Sequence, residues 1–303
     1  MLEIVNDIKD AKYVTHSGTM HADEVFATAF LELYMGDIKL FRTSSIKAEE
    51  YPDLLIYDIG RGKFDHHMNY APVRDNGIKY SSFGLLWREY GKDFLTKMEI
   101  ADVNEVFLYF DKDLVESIDA IDNGTFPKIE ANFRVKTIPD VIKLFNNNIT
   151  SIDVGNMQFT KAEELAKTIL KEEINSCINK VRTKKIIENK LQNTNERYLV
   201  LDEYLPYEEF VLSSPLGDRI LFVLYPSSRG GYAIKTVPMS NKDHTSRLYF
   251  PKEWGGLSDD ELEKVSGIKG LTFCHSNLFI ASCNNKETAI AVTKKIIEEK
   301  EDK

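Results

Sequence analysis

Ala11-Lys12-Tyr13-Val14-Thr15-His16-Ser17-Gly18-Thr19-Met20-His21-Ala22-Asp23 changes its hydrophobic period halfway along, and that change decides the fold. Ala11 to Thr15 reads as a short strand, which Gly18 breaks. Ala22, Val25, Phe26, Ala29, Phe30, Leu33 and Tyr34 then recur at helical spacing until Gly36 stops the run. Further on, Leu54-Leu55-Ile56-Tyr57 is an apolar run of the kind buried in parallel sheets, and Asp58 ends it ahead of Gly60 and Gly62. Strand, helix and buried strand in succession predict an α/β domain. In open α/β sheets the ligand crevice lies outside the carboxyl ends of the strands, where His16 to Asp23 and Asp58 both fall.

The residues at these strand ends are metal-binding types. Asp65-His66-His67 follows Asp58 by seven positions, and four of the six histidines in the chain lie in segments 16–23 and 65–67. Imidazole nitrogen with carboxylate oxygen is the donor set that divalent Mn, Zn, Fe or Mg accept. A lone His is most often an ordinary polar loop residue, but here each is tied to an acid at short spacing. A side chain that bridges two metal ions must be a carboxylate, because its two oxygens can serve both where an imidazole nitrogen serves one, and Asp58 is the candidate for that role.

Composition narrows the class. The chain has 303 residues, 43% apolar and 29% charged, as in a globular protein of two ordinary domains. No stretch approaches the roughly 18 apolar residues of a membrane span, and no signal-peptide core opens the chain, so a cytoplasmic protein is expected. Cys177, Cys274 and Cys283 are too few and scattered for a disulfide framework. The net charge of −9 argues against wrapping long nucleic acid, though not against acting on a strand end, since bound cations would supply the local positive potential. Lys180, Arg182, Lys184, Lys185 and Lys190 form the one concentrated basic stripe, read first as a solvated helix face.

Periodicity gives the organisation. Ser81 and Ser82 open an apolar helical run ending at Gly91, and Val106 to Ile121 is helical, so Asp119 and Asp122 share a face near its end. Asn146-Asn147-Asn148 marks a loop. Apolar residues at three- to five-residue spacing from Thr160 to Leu191 predict one or two long amphipathic helices joining two domains. Segments 198–201, 210–212, 220–225 and 232–237 read as strands of a mainly antiparallel sheet, with helices near 258–266 and 286–300.

Taken in order, Thr-His-Ser-Gly-Thr-Met-His-Ala-Asp-Glu (15–24), Tyr-Asp-Ile-Gly (57–60), Phe-Asp-His-His (64–67), Ser-Ser-Phe-Gly-Leu (81–85) and Ile-Asp-Ala-Ile-Asp-Asn-Gly (118–124) resemble the successive motifs of the MYG-type family, a branch of the DHH phosphoesterases. Phe-Val-Leu-Tyr-Pro (222–226), Ser-Arg-Leu (246–248) and Val-Ser-Gly-Ile-Lys-Gly-Leu-Thr-Phe-Cys-His (265–275) resemble the same family, so the likeness covers nearly the whole chain. It implies a DHH-like parallel-sheet metal-binding domain with a linker helix over 1–190 and a smaller α+β substrate-binding domain over 191–303. It also implies a two-metal phosphoesterase, most specifically a 3′–5′ RNA exonuclease acting on RNA or a short oligonucleotide. An older label for the family is metal-dependent protein hydrolase. A small-nucleotide phosphatase or pyrophosphatase would use the same site, and a non-catalytic metal-dependent binding protein is the rival from another class.

The resemblance also assigns residues. His16, His21 and Asp58 would hold one ion, and Asp23, Asp58, His66 and a later Asp the other. Where the commoner DHH pattern has Asp-x-Asp, this chain has His21-Ala-Asp23, and the lost negative charge favours Mn over Mg, with Zn or Fe as alternatives. Asp122 aligns with the later ligand, while Asp119 could orient a His from behind; both also suit a helix end. His67 resembles the phosphate-contacting residue, and with Asp58 forms the expected catalytic pair. Adjacent residues in an extended segment point opposite ways, which suits one ligand, His66, and one substrate contact, His67. Ser81 and Ser82 suit N-capping, with phosphate binding as an added role. Arg229, Arg247 and His275 are expected to grip the substrate's phosphate or terminal sugar. Phe222, Tyr225 and Tyr232 could stack bases, although strand aromatics are first read as core.

Overall fold

A computed structural model describes residues 1–301, and the chain divides into two compact units, up to Asn179 and from Lys180 onward. In the first unit β1 (Leu2–Val5), β2 (Tyr13–His16), β3 (Ile38–Thr43) and β4 (Leu55–Ile56) make a parallel sheet in the order β1-β3-β2-β4. β2 and β4 are therefore neighbours with their carboxyl ends on the same edge, one ending at His16 and the other running into Asp58. Between β2 and β3 lies α1 (Ala22–Met35), buried without a break from Ala22 to Leu31. Its polar members Asp23 and Glu24 are hidden along with the apolar ones, which points to work inside the fold.

α2 (Ser82–Lys97) follows, then α3 (Val103–Phe110), one π-helical stretch (111–115) and α4 (Glu116–Asp122). α2 runs past Gly91 rather than ending there. A Cβ at Gly91 would come within 2.7 Å of the Trp87 ring and 2.9 Å of Phe107, so this glycine allows α2 and α3 to approach closely instead of stopping the helix. α5 (Ile138–Ile142) precedes α6 (Ile152–Gln192), a single 41-residue helix that begins in the first unit and ends in the second.

The second unit holds β5 (Tyr198–Val200), α7 (Glu208–Ser213), β6 (Phe222–Pro226), β7 (Tyr232–Thr236), α8 (Asp259–Ser266), β8 (Leu271–Cys274), β9 (Ile280–Cys283) and α9 (Lys286–Glu301). Its sheet runs β5-β6-β7-β9-β8, antiparallel apart from the β5/β6 pair. Side chains along β6 alternate between two cores: Phe222 and Leu224 join Trp254, Leu262 and Val292, whereas Val223 and Tyr225 join Ile187, Leu191 and Val211. Burial on both faces explains why the strand reads as one apolar run. Phe222 and Tyr225 are thus core residues, not stacking platforms for bases. Segment 210–212, expected as a strand, is helical within α7. Three apolar residues have no decisive period, and here Phe210 and Val211 bury from a helix.

Candidate metal centre

Asp58 leaves β4 with φ 59°, a left-handed conformation that Asp tolerates better than most residues and that holds only when its surroundings fix it. The backbone turn aims a buried carboxylate at both halves of the cluster. Its Oδ2 lies 3.1 Å from His16 Nε2 and its Oδ1 3.0 Å from His66 Nε2, while Ser82 Oγ donates to Oδ1 at 3.2 Å. Among the described residues, Asp58 is the one side chain with ion pairs to both His16 of β2 and the Asp65-His66-His67 segment.

Around it the donors fall into two neighbourhoods. His66 Nε2 is 3.0 Å from Asp58, 3.3 Å from Asp122 Oδ2 and 3.7 Å from Asp23 Oδ2, so three carboxylates converge on one nitrogen. On the other side His16 Nε2 faces Asp58 and, at 3.2 Å, Glu24 Oε1, with the His21 ring 5.6 Å from the His16 ring. His16 Nδ1 lies 3.1 Å from the carbonyl of Ser17, which fixes the ring with Nε2 turned inward. Donor atoms of His16, His21 and Glu24, of His21, Asp23 and Asp122, of Asp23, Glu24 and Asp58, and of Asp58, His66 and His67 each lie within 4.8 Å of one another.

These residues fit divalent cations. Asp23 Oδ1 is buried with no hydrogen-bond partner, a lone pair set that costs free energy unless a cation or proton meets it. Burial and the neighbouring Asp58 and Asp122 push the Asp23 carboxyl well up. Burial opposes charge on His16, yet Asp58 and Glu24 outweigh it and push the imidazole up to about 11. His66 is raised in the same way by Asp58 and Asp122 against its burial. Burial would lift Asp58 too, but its two imidazole partners hold it below the usual carboxylate range. Protons thus balance the charge of the free cluster, and metal ligation requires their release. Because the imidazoles are protonated below their raised pKa values, apparent affinity for Mn should climb with pH, by about tenfold per unit for each proton displaced. Calorimetry in two buffers of different ionisation heat would count those protons; affinity independent of pH would exclude the cluster as the binding site.

Asp122, and not Asp119, reaches the cluster. α4 ends in a Schellman motif in which Thr125 N donates to Ala120 O and Gly124 N to Ile121 O, with Gly124 at φ 79°. That leaves Asp122 as the last helical residue, turned toward His66. Asp119 points the other way and touches no histidine. Its oxygens accept from Ser81 Oγ at 2.5 Å, Gly84 N at 3.1 Å and Arg74 Nη1 at 2.5 Å, so the second-acceptor role expected for it is not present. A Cβ at Gly84 would fall 1.9 Å from the Asp119 carboxylate, which is why this turn of α2 carries glycine. Arg74 also binds Asp111, at 2.8 Å. Arg74→Ala would leave the Asp119 carboxylate buried without its counter-ion, and the expected loss of stability, about 3–5 kcal/mol, is measurable as a lower urea midpoint. An unchanged midpoint would mean that the pair does not hold this region together.

The serines differ from expectation as well. Ser81 and Ser82 are fully buried, and neither caps α2 with its side chain. Ser81 holds Asp119, while Ser82 bonds Asp58 through its hydroxyl and Asp23 through its N–H at 3.4 Å. With both hydroxyls occupied they orient carboxylates and cannot reach a substrate phosphate. His66 and His67 separate by exposure more than by direction: the rings lie 4.3 Å apart, with side-chain exposures of 7% and 63%. Asp65 holds His67 through its backbone N–H at 3.0 Å and its Nδ1 at 2.8 Å, raising the imidazole.

Three positioning groups were missed by sequence reasoning. Glu24 accepts the His21 N–H on both oxygens, at 2.8 and 2.9 Å, a capping-box position visible in the spacing. Asn146 clasps Met20 through both its amide atoms, each at 2.8 Å, and so fixes the loop before His21; only tertiary structure shows this. Arg74 carries no sequence signal.

In the second unit the expected substrate residues are held in different ways. Arg247 is mostly buried, its Nη1 committed to the carbonyls of Gly217 at 2.6 Å, Ile220 at 3.0 Å and Asp218 at 3.2 Å, so it ties a loop and is not free for phosphate. Arg229 lies exposed in the β6–β7 turn. His275 Nδ1 accepts the Asn277 N–H at 3.0 Å, and its ring lies 4.6 Å from that of Phe279, tilted by 56°. Cys274 is buried and its thiol pushed up to about 11, which makes it inert. Of the basic stripe, Lys180 pairs with Glu209, Arg182 with Glu203 and Lys190 with Asp202, as a solvated helix face does.

Parallel sheet, strand-end cluster and second mixed sheet together define an α/β protein with a His/Asp cluster suited to divalent cations. The chain belongs to the MYG1 exonuclease family, whose model, described as an uncharacterised protein family (UPF0160), matches residues 12–297. It is 30% identical to the MYG1 protein YER156C of Saccharomyces cerevisiae over 96% of each chain. It is 26% identical to the MYG1 exonuclease of Homo sapiens, over 92% of this chain and 84% of that one. A Thermus thermophilus RecJ structure solved with Mn2+ is 13% identical with a TM-score of 0.26, covering 95% of this chain and 52% of RecJ, a likeness too slight to carry argument.

Proposed function

We propose that this chain is a metal-dependent phosphodiesterase that removes nucleotides from the 3′ end of single-stranded RNA, using two divalent ions, with Mn preferred. The observation that carries the reading is the meeting of Asp23, Asp58 and Asp122 on His66, with His16 on the far oxygen of Asp58. Support for nuclease chemistry comes from membership of a family in which the human relative is named an exonuclease.

The proposed ligands are His16, His21 and Asp58 for one ion and Asp23, Asp58, His66 and Asp122 for the other, with Glu24 beside the first. Paired cations supply a hydroxide at neutral pH and neutralise charge on the phosphoryl oxygens. The remaining work belongs to the chain. Ser82 and the N-terminus of α2 hold the Asp23 and Asp58 carboxylates in place. His67, whose imidazole Asp65 raises and which is open to solvent, is positioned to hold a phosphate oxygen or give a proton to the departing group. Residues 191–303 are proposed as the substrate-holding part, and a cytoplasmic setting agrees with three free buried cysteines. Among the described residues no helix is long and apolar enough to cross a membrane.

A panel of 5′-labelled RNA, DNA, dinucleotides and nucleoside polyphosphates under Mn tests the reading. Turnover should favour RNA and leave a ladder shortening from the 3′ end. Preference for a nucleoside polyphosphate would instead make it a small-nucleotide phosphatase.

A further inference from the structure

Residues 125–136 cross between α4 and α5 as irregular, exposed backbone, and their side chains are unlike those of an ordinary polar loop. Phe126 and Phe133 are 67% and 76% exposed, with Ile129 and Val135 also open to solvent. Lys128, Arg134 and Lys136 alternate with them against Glu130 alone, in a chain whose net charge is −9. None of these three cations lies within ion-pair distance of a carboxylate among the described residues, although Arg134, with Lys143, acts on Asp140 through space. Exposed aromatics cost free energy in water, and clustered cations in an acidic chain repel one another; one ligand class, a polyanion with flat apolar rings, relieves both.

The segment's position says where that ligand leads. The Schellman motif after Asp122 sends the chain directly from the metal centre into this stretch. A cavity of about 250 Å³ joins the two, lined by His21 and Asp122 on the centre's side and by Phe126, Pro139 and Lys143 on the other. That is smaller than the roughly 300–1,000 Å³ of drug-sized sites and suits a single planar ring. Resting on the phosphodiesterase reading above, we infer that residues 124–136 with Lys143 form the surface that guides a single nucleic-acid strand into the centre. Phe126 stacks the base nearest the scissile phosphate, Phe133 a base further along, and Lys128, Arg134, Lys136 and Lys143 follow the backbone. Stacking is tolerant of sequence, so the surface selects single strands over duplex and not one base over another.

Steady-state kinetics on the full-length protein test this with two substrates, a short single-stranded oligouridylate and bis(p-nitrophenyl) phosphate, which has no strand to lie on the segment. Phe126→Ala and Phe133→Ala should each raise KM for the oligonucleotide at least about fivefold. Phe126→Tyr, which keeps the ring face, should restore it. Lys128→Glu with Arg134→Glu should raise KM further and flatten its dependence on salt. Metal content should stay at the wild-type level throughout, and so should turnover of the small ester in Phe133→Ala and in the charge-reversed variant, whose side chains are assigned to the strand beyond the reacting phosphate. An unchanged oligonucleotide KM in the double phenylalanine variant overturns the inference. So does a fall in oligomer size by sedimentation with KM unchanged, which would make the patch a contact between copies of this chain. A wild-type protein that hydrolyses the ester but no oligonucleotide refutes the guiding surface and the RNA substrate while leaving phosphodiester hydrolysis standing, whereas one that hydrolyses neither refutes the phosphodiesterase reading itself.

Discussion

Asp58→Ala is expected to remove more than one equivalent of bound metal and to lower phosphodiester turnover by on the order of 10³-fold or more. The reason is geometric. Among the described residues, Asp58 is the one carboxylate whose two oxygens address different histidines, His16 through Oδ2 and His66 through Oδ1. Its loss takes a donor from both neighbourhoods and also frees the Ser82 hydroxyl, leaving the Ser82 N–H on Asp23 as the hold of the α2 N-terminus on the centre. Elemental analysis after dialysis reads the metal, and the same sample reads turnover. Full metal retention would remove the bridging role, even if activity were lost.

Separating the adjacent histidines is the second large effect. His66→Ala should lower metal content, because His66 is the buried imidazole on which Asp23, Asp58 and Asp122 converge. His67→Ala should keep its metal while turnover drops by roughly 10²-fold or more, the usual cost of removing a positioned proton donor or charge stabiliser. The contrast rests on exposure and partners: His67 faces solvent and is held by Asp65, which itself lies outside the cluster of converging carboxylates. Equal metal loss in the two variants would show that both rings are ligands, which their 4.3 Å separation makes a real alternative outcome of the experiment.

How far the sequence carried depended on the range of the interactions. The strand-to-helix change at His16 to Asp23 and the apolar run before Asp58 are local patterns, and the structure places both at the carboxyl ends of adjacent parallel strands. The choice between Asp119 and Asp122 was not local. Residues three apart share a helical face, and what separates them is the Arg74 guanidinium arriving from 45 positions away, with Ser81 and Gly84, to occupy Asp119. Ser81 and Ser82 looked like a cap and proved to be buried struts. Arg247 shows the same limit in the second unit: arginine suits phosphate, but nothing near it in sequence announces that three loop carbonyls already use its Nη1. Short apolar runs failed in another way, since segment 210–212 has too few residues for a period to tell helix from strand.

One time course decides whether the cluster around Asp58 hydrolyses phosphodiesters with the help of metal. Full-length protein stripped of metal is incubated with 5′-labelled single-stranded RNA, before and after Mn is restored. The RNA should stay intact without metal and, with it, give products shortening one nucleotide at a time from the 3′ end. RNA left intact by protein shown to be saturated with Mn, or cleaved equally well by the metal-stripped protein, would contradict metal-dependent hydrolysis at the cluster.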